Sequence, residues 1–438
     1  MPAIVQLLSR AASPMSGVAA TARSIARPGA GQGAVLRAVL AIAALVLAAF
    51  SVPRDAAAQA TPPVVATPAA LLMDFDSGTI LFERAADTQV QPANLTKIMT
   101  AAAVFRALAE GKLKADDTLS VSEYAWRKGG APSGSTAMFA ALNSRIAVSD
   151  LLRGMIIQSG NDAAMVLAEG IAGNELAFAG KMNEEAKRIG LTGSTFRNAS
   201  GLSDPGQLTT ARDMARLAAF IIRTYPDKYE IYSEKEFTWN KIRQLNRNPL
   251  LGMSLGADGL TTGYLKDSGF NLVGSALQNG QRLVLVLLGA KSDKERAEDA
   301  RKLLEWGFRT FEQKPLFARD EPVGEAVLFG GEKGSVPLVG ASAISLLVAR
   351  DGSEKLTAKI HYTGPVPAPV AKGQQLATLQ VYRGEQVALE VPLFAAADVA
   401  QGPLWRRALD AGYELSVSLL RQGYAKVKER IGMKDTTG

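Results

Sequence analysis

Cysteine is absent from the 438-residue chain, and histidine occurs once, at His361. The first absence excludes disulfides, thiolate nucleophiles and cysteine-based zinc sites. The second leaves a Ser-His-Asp triad a single base, and His361 falls in a strand-like stretch far down the chain. No metal and no cofactor are expected. Hydrolytic chemistry, if present, has to run on Ser, Thr, Lys, Asp or Glu. Charge of one sign is also scarce where it counts. The formal net charge is +7, but residues 1–60 carry Arg10, Arg23, Arg27, Arg37 and Arg54 against Asp55, a net +4, leaving 7 − 4 = +3 for the remainder. That is too little to imply a nucleic-acid partner.

Long apolar runs are missing too. The longest candidate, Ala38 to Phe50, holds thirteen residues, short for a membrane span. It follows Arg37 and precedes Ala58-Gln59-Ala60, a small-residue cleavage pattern before Thr61, so residues 1–60 read as an export signal with an extended leading region. A transit peptide is the alternative, because the stretch before Arg37 is acid-free and contains Arg and Ser; Met15 is a second candidate start.

What is present reads as an α+β body. A Pro/Ala linker leads to Leu71–Phe82, two apolar runs about the turn Asp76-Ser77-Gly78 and therefore a hairpin. A helix is expected from Leu95 to Ala109 with Gly111 as its stop, and another from Asp150 to Gln158 with Ser149 as N-cap. A tight Ser159-Gly160-Asn161 turn follows, then a helix through Ala163 to Ala168. Leu283–Leu288 reads as a buried strand and Glu295–Phe311 as an amphipathic helix closing this body. Its bounds are set at 61–318. Alternating runs at Ala343–Val348, Thr357–Tyr362 and Gln375–Tyr382 mark a small β domain over 319–399. Residues 400–438 read as an amphipathic helix. Trp405, Leu409, Leu419, Leu420, Val427 and Ile431 fall largely on one side and Arg407, Asp410, Glu414 and Arg421 on the other. Such a helix suits a membrane interface.

One absence defines the chemistry: no Ser-x-x-Lys occurs anywhere, nor any Lys-Thr-Gly or Lys-Ser-Gly. In acyl-transfer sites of that type the serine and lysine share a helix face, and the amine takes the hydroxyl proton. Pro92-Ala-Asn-Leu-Thr-Lys97 has the lysine but places Asn94 where the serine belongs. An amide does not ionise to an alkoxide near neutral pH, so Asn94 forms no acyl-enzyme. As a residue type asparagine is also a good N-cap, and Asn94 is expected to cap the helix behind it. Thr96 adjoins Lys97 but belongs to another helix face.

Three segments in this order resemble the serine-type D-alanyl-D-alanine carboxypeptidases of the penicillin-binding-protein-5 type. They are Pro92–Thr100, Gln158-Ser-Gly-Asn-Asp162 and Asp258-Gly-Leu-Thr-Thr-Gly263, and Ser200-Gly-Leu202, Thr210-Ala-Arg-Asp213 and Ile242–Asn248 extend the likeness. The resemblance runs from about residue 62 to the end. It implies a β-lactamase/transpeptidase-like peptidase domain, a small all-β domain and a terminal amphipathic helix. It further implies a periplasmic protein at the outer face of the inner membrane, acting on the D-Ala-D-Ala end of peptidoglycan stem peptides. Carried over by position, Lys97 is the base, Ser159 and Asn161 form the second motif, and Arg247, Thr262 and Gly263 belong to the substrate-binding side. Two positions depart from the pattern: Asn94 at the nucleophile and Thr261 at the lysine that meets the substrate carboxylate. The expectation is an impaired or inactive homologue that binds stem peptides or a cell-wall enzyme. An active, rearranged site and a protein working through its β domain are the alternatives.

Overall fold

The computed structural model describes residues 3–5, 61–352, 355–409 and 411–412. A five-stranded antiparallel sheet organises the first body. Its strands are β1 (Ala69–Asp74), β2 (Ile80–Arg84), β3 (Ala257–Leu265), β4 (Gly269–Gln278) and β5 (Gln281–Ala290), in the order β2-β1-β5-β4-β3. The expected hairpin is β1 and β2, and the expected buried strand is the centre of β5. Leu283 to Leu288 are all buried because both faces of β5 are covered. Val284, Val286 and Leu288 face one apolar cluster, and Leu283, Leu285 and Leu287 face another. Period-two alternation is thus preserved with no polar face to reveal it.

The first cluster is packed by α1 (Thr96–Ala109), α2 (Val148–Ile156), α3 (Asn161–Ala172), α4 (Glu175–Ile189) and α5 (Ala211–Thr224). The second is closed by α6 (Asp293–Thr310), which buries Ala300, Leu303, Leu304 and Trp306. Ser292 caps α6 by accepting from the Glu295 N–H at 3.1 Å. α1 ends as expected, Gly111 following it with φ +68°.

Two caps differ from expectation. α2 starts at Val148, so Ser149 lies inside its first turn; the strand Arg145–Ala147 runs straight into the helix, and Ala147 supplies the extended entry residue. Asn94 does not cap α1 either. It lies in a 3₁₀ turn, Ala93–Leu95, that leads into the helix, and no side chain caps that turn or α1. α3 also runs past Ala168 to Ala172, where Gly173, at φ +80°, ends it.

The second body is all β. Phe311–Phe317, directly after α6, pairs with Ile344–Ala349. A second sheet pairs Leu356–His361 with Gln375–Arg383, and that strand with Gln386–Ala395. Gln386–Ala395 in turn meets Ser335–Gly340, and Ala3–Val5 adds an outer strand beside Leu356–His361. His361 closes its strand here, in the second body, and its buried Nε2 makes no hydrogen bond with described residues. A helix begins at 404 and exposes Leu404, Trp405 and Leu409. The export signal, apart from residues 3–5, and the tail helix beyond residue 412 lie outside the described residues.

Candidate active site

The site forms where α1, α3 and the edge strand β3 converge. α1 buries nearly every residue from Thr96 to Ala102, so Lys97 is carried into the interior, 3% exposed. A buried ammonium is costly unless its protons are met. Lys97 Nζ donates to Asn94 Oδ1 at 2.9 Å, Asn161 Oδ1 at 2.6 Å and the Ser200 carbonyl at 2.5 Å. Three protons meet three oxygens. Burial pushes the amine down to about 7, the Asp162 carboxylate opposes that, the Arg247 guanidinium assists it, and Glu175 opposes it. The three short contacts accept from the ammonium and so oppose that fall.

Asn94 therefore has a different role from a cap. Its carbonyl oxygen accepts from Lys97, which fixes the amide's orientation, since its NH₂ would place donor against donor. The backbone here is wedged between two glycines. A Cβ on Gly201, at φ +85°, would stand 2.0 Å from the Ala93 carbonyl oxygen, and one on Gly263 would stand 3.0 Å from the Asn94 nitrogen. Gly201 leaves no room for a side chain, and a Cβ on Gly263 would require its neighbours to give by a few tenths of an ångström.

Asn161, at the start of α3, links the interior to the surface. It accepts from Lys97 and donates from Nδ2 to Ser135 Oγ at 3.1 Å. Ser159 precedes it with φ +64°, fully buried, and its Oγ has no hydrogen-bond partner among the described residues. The neighbouring Asp162 carboxylate accepts from the N–H groups of Met138, Ala140 and Ala163 at 2.9, 3.0 and 2.9 Å. It thereby ties the loop carrying Ser135 and Thr136 to the head of α3. Burial raises the Asp162 carboxyl, and these amides oppose the rise. Sequence reasoning quoted Asp162 without giving it this work and missed Ser135; an acidic residue in a helix's first turn was the available signal for the former.

On the opposite wall, β3 is the last strand of its sheet and presents Thr261, Thr262 and Gly263. Thr261 and Thr262 are 6% and 7% exposed. Thr262 Oγ1 lies 3.4 Å from the Arg247 carbonyl, and Arg247 Nε donates to the Gln158 carbonyl at 2.8 Å. Arg247 thus bridges the second-motif turn and β3 while its side chain stays at the surface, and desolvation lowers its pKa. Asp258 anchors the base of β3 through Arg282 at 2.7 Å and the Tyr229 hydroxyl at 2.8 Å. All eight residues named from the sequence thus stand at this one junction. Thr96 does not reach it productively: it is fully buried, and its Oγ1 has no partner among the described residues.

Comparison with known proteins bears on the family and the fold. The D-alanyl-D-alanine carboxypeptidase family model matches residues 56–292, and the penicillin-binding protein 5 C-terminal domain model matches residues 311–401. The D-alanyl-D-alanine carboxypeptidase DacC of Escherichia coli K12 is 42% identical over 351 residues, 80% of this chain and 88% of that protein. DacA of Haemophilus influenzae is 39% identical over 332 residues, 75% and 84% of the two chains. Among solved structures, penicillin binding protein 5 from H. influenzae superposes with a TM-score of 0.71 at 37% identity, covering 78% of this chain and 99% of its own. Penicillin binding protein 6B from E. coli gives 0.60 at 34% identity, covering 76% and 96%.

Proposed function

Because the chain belongs to the D-alanyl-D-alanine carboxypeptidase family of peptidoglycan remodelling, we propose that it keeps the family's cleft and has lost acyl transfer. One observation carries this reading. The carboxamide of Asn94 occupies the nucleophile's place and accepts a hydrogen bond from Lys97, the group that would have to act as base. An amide has no proton whose removal yields a nucleophile of the needed strength. Removing the nucleophile from such a site costs about a millionfold in turnover, leaving on the order of 10³–10⁴ over water from binding and oxyanion contacts.

Capture of a stem peptide survives in weaker form. β3 is still an open edge for an extended peptide, and Arg247 still offers a cation. Thr261 offers none. A lost charge-assisted hydrogen bond is worth roughly 1.5–3 kcal/mol, about 10- to 150-fold in carboxylate binding. The protein works in the periplasm, where its tail lies against the inner-membrane surface; the exposed Leu404, Trp405 and Leu409 at the start of that helix support the attachment. Its ligands are D-Ala-D-Ala stem peptides or a cell-wall enzyme. As nucleophiles of an active, rearranged site, Thr96 and Ser159 are both 0% exposed and closed to an incoming carbonyl carbon.

The test is intact-mass analysis after incubation with a labelled penicillin. No adduct is expected on the native chain. A stable covalent adduct at any residue overturns the proposal.

A further inference from the structure

Two positions in the cleft can meet a peptide's carboxylate, and their hydrogen-bonding groups differ in how far they are already engaged. Toward the outer end, Thr261 supplies no cation. The Thr262 hydroxyl is turned to the Arg247 carbonyl at 3.4 Å, and Arg247 Nε donates to the Gln158 carbonyl at 2.8 Å. Arg247 keeps its other N–H groups, but its side chain is exposed, and an exposed cation is screened by water and salt.

At the inner position the arrangement is reversed. From Pro92 to Thr100 every residue is buried except Asn94, which is half-buried. Its Oδ1 accepts from Lys97 Nζ at 2.9 Å on the interior side. The oxygen and nitrogen of a carboxamide lie on opposite arms of a planar fork, so Nδ2 points away from that amine. It makes no hydrogen bond with described residues. Asn161 Oδ1 and the Ser200 carbonyl also meet Lys97 Nζ, at 2.6 and 2.5 Å, so positive charge is held directly behind the amide. An amide whose oxygen accepts from a cation is polarised and donates more strongly from its nitrogen. β3 leads a peptide to this point. It is an open edge strand, and at Gly263 it passes so near that a Cβ would stand 3.0 Å from the Asn94 backbone nitrogen.

We propose that Asn94 is a ligand-binding residue: its Nδ2 donates to the terminal carboxylate of a stem peptide that ends in a single D-alanine, and the cleft prefers this trimmed end to D-Ala-D-Ala. The preference rests on the cleft being catalytically silent, as proposed above, and it identifies which peptide end the silent cleft keeps. On a D-Ala-D-Ala end, Asn94 meets the neutral carbonyl between the two alanines, and the carboxylate lies one residue further out, among groups already engaged. On a trimmed end the carboxylate itself lies at Asn94. A hydrogen bond to an ionised acceptor is roughly twice as strong as one to a neutral acceptor. Asn94 and Thr261 therefore act in one direction: together they move the carboxylate-selective position inward by one residue.

Two probes of equal charge separate the ends, diacetyl-L-lysyl-D-alanine and diacetyl-L-lysyl-D-alanyl-D-alanine. Each is titrated calorimetrically into the full chain at about pH 6, where Lys97 keeps its proton. The shorter probe is expected to bind about tenfold more tightly than the longer one, and its C-terminal amide to lose a similar factor. Asn94→Asp keeps an oxygen for Lys97 but turns a second oxygen toward the ligand, so it is expected to weaken the shorter probe about tenfold or more. Thr261→Lys is expected to raise the affinity for the longer probe more than for the shorter. Equal or tighter binding of the longer probe by the native chain, no binding of either, or binding of the shorter probe untouched by Asn94→Asp overturns the proposal. The comparison of probes on the native chain needs no variant to fold. Penicillin acylation is read separately: an adduct overturns the silent cleft itself, whereas an unacylated chain that prefers the longer probe overturns only the preference.

Discussion

At the scale of single residues, the decisive pair is Asn94 and Lys97. Burial drives the Lys97 amine down to about 7 from the ordinary lysine value of 10.5, and this has a consequence for stability. The unfolded chain holds its proton up to about pH 10.5, whereas the folded chain releases it near 7. Between those values the unfolded state binds more protons, so stability rises with pH across that window and the gain is absent below about 7. Each unit of displacement is ~1.4 kcal/mol, and the oxygens around Nζ hold part of it back, so a gain of about 1–4 kcal/mol is expected. Urea unfolding of the native chain and of Lys97→Met between pH 7 and 10 checks this: the native chain should gain stability relative to the variant as pH rises. A flat or falling difference contradicts it. The residue type at position 94, on which the proposed loss of acyl transfer rests, was legible in the sequence. Its contact was not, because cap preference describes an isolated helix end, and here a buried ammonium three residues on claims the same oxygen.

At the scale of elements, the cleft depends on how closely α1 and β3 approach. Gly263 on β3 and Gly201 in the loop between α4 and α5 leave room for the turn Ala93–Leu95 to pass between them. That backbone geometry is independent of the side chain at position 94. The double variant Asn94→Ser with Thr261→Lys is therefore expected to acquire β-lactam acylation, detected as a mass increase, with Asn94→Ser alone reacting about 10- to 150-fold more weakly. A folded double variant that stays unreactive contradicts the claim that the cleft has kept its shape. The elements themselves were largely readable. The hairpin, the buried strand at Leu283–Leu288, α6 and the strands of the β domain follow from period-two and 3.6-residue patterning. Entries and exits were less so. The start of α2 is set by the strand that feeds it, and the length of α3 by Gly173, neither of which period alone reveals.

At the scale of the whole molecule, the three motifs lie far apart in the chain and meet only through the sheet order, which brings β3 to one edge beside α1 and α3. The order of motifs pointed to the family, and the matches over 56–292 and 311–401 agree with it. The family's fold is thus kept, and the reading proposed for it is that the attacking oxygen and one substrate-facing cation are gone. Release of D-alanine from a D-Ala-D-Ala-terminated pentapeptide by the purified native chain tests that claim most directly. The account predicts no release above that of Lys97→Ala; turnover at the rate of an active carboxypeptidase, abolished by Lys97→Ala, would contradict it.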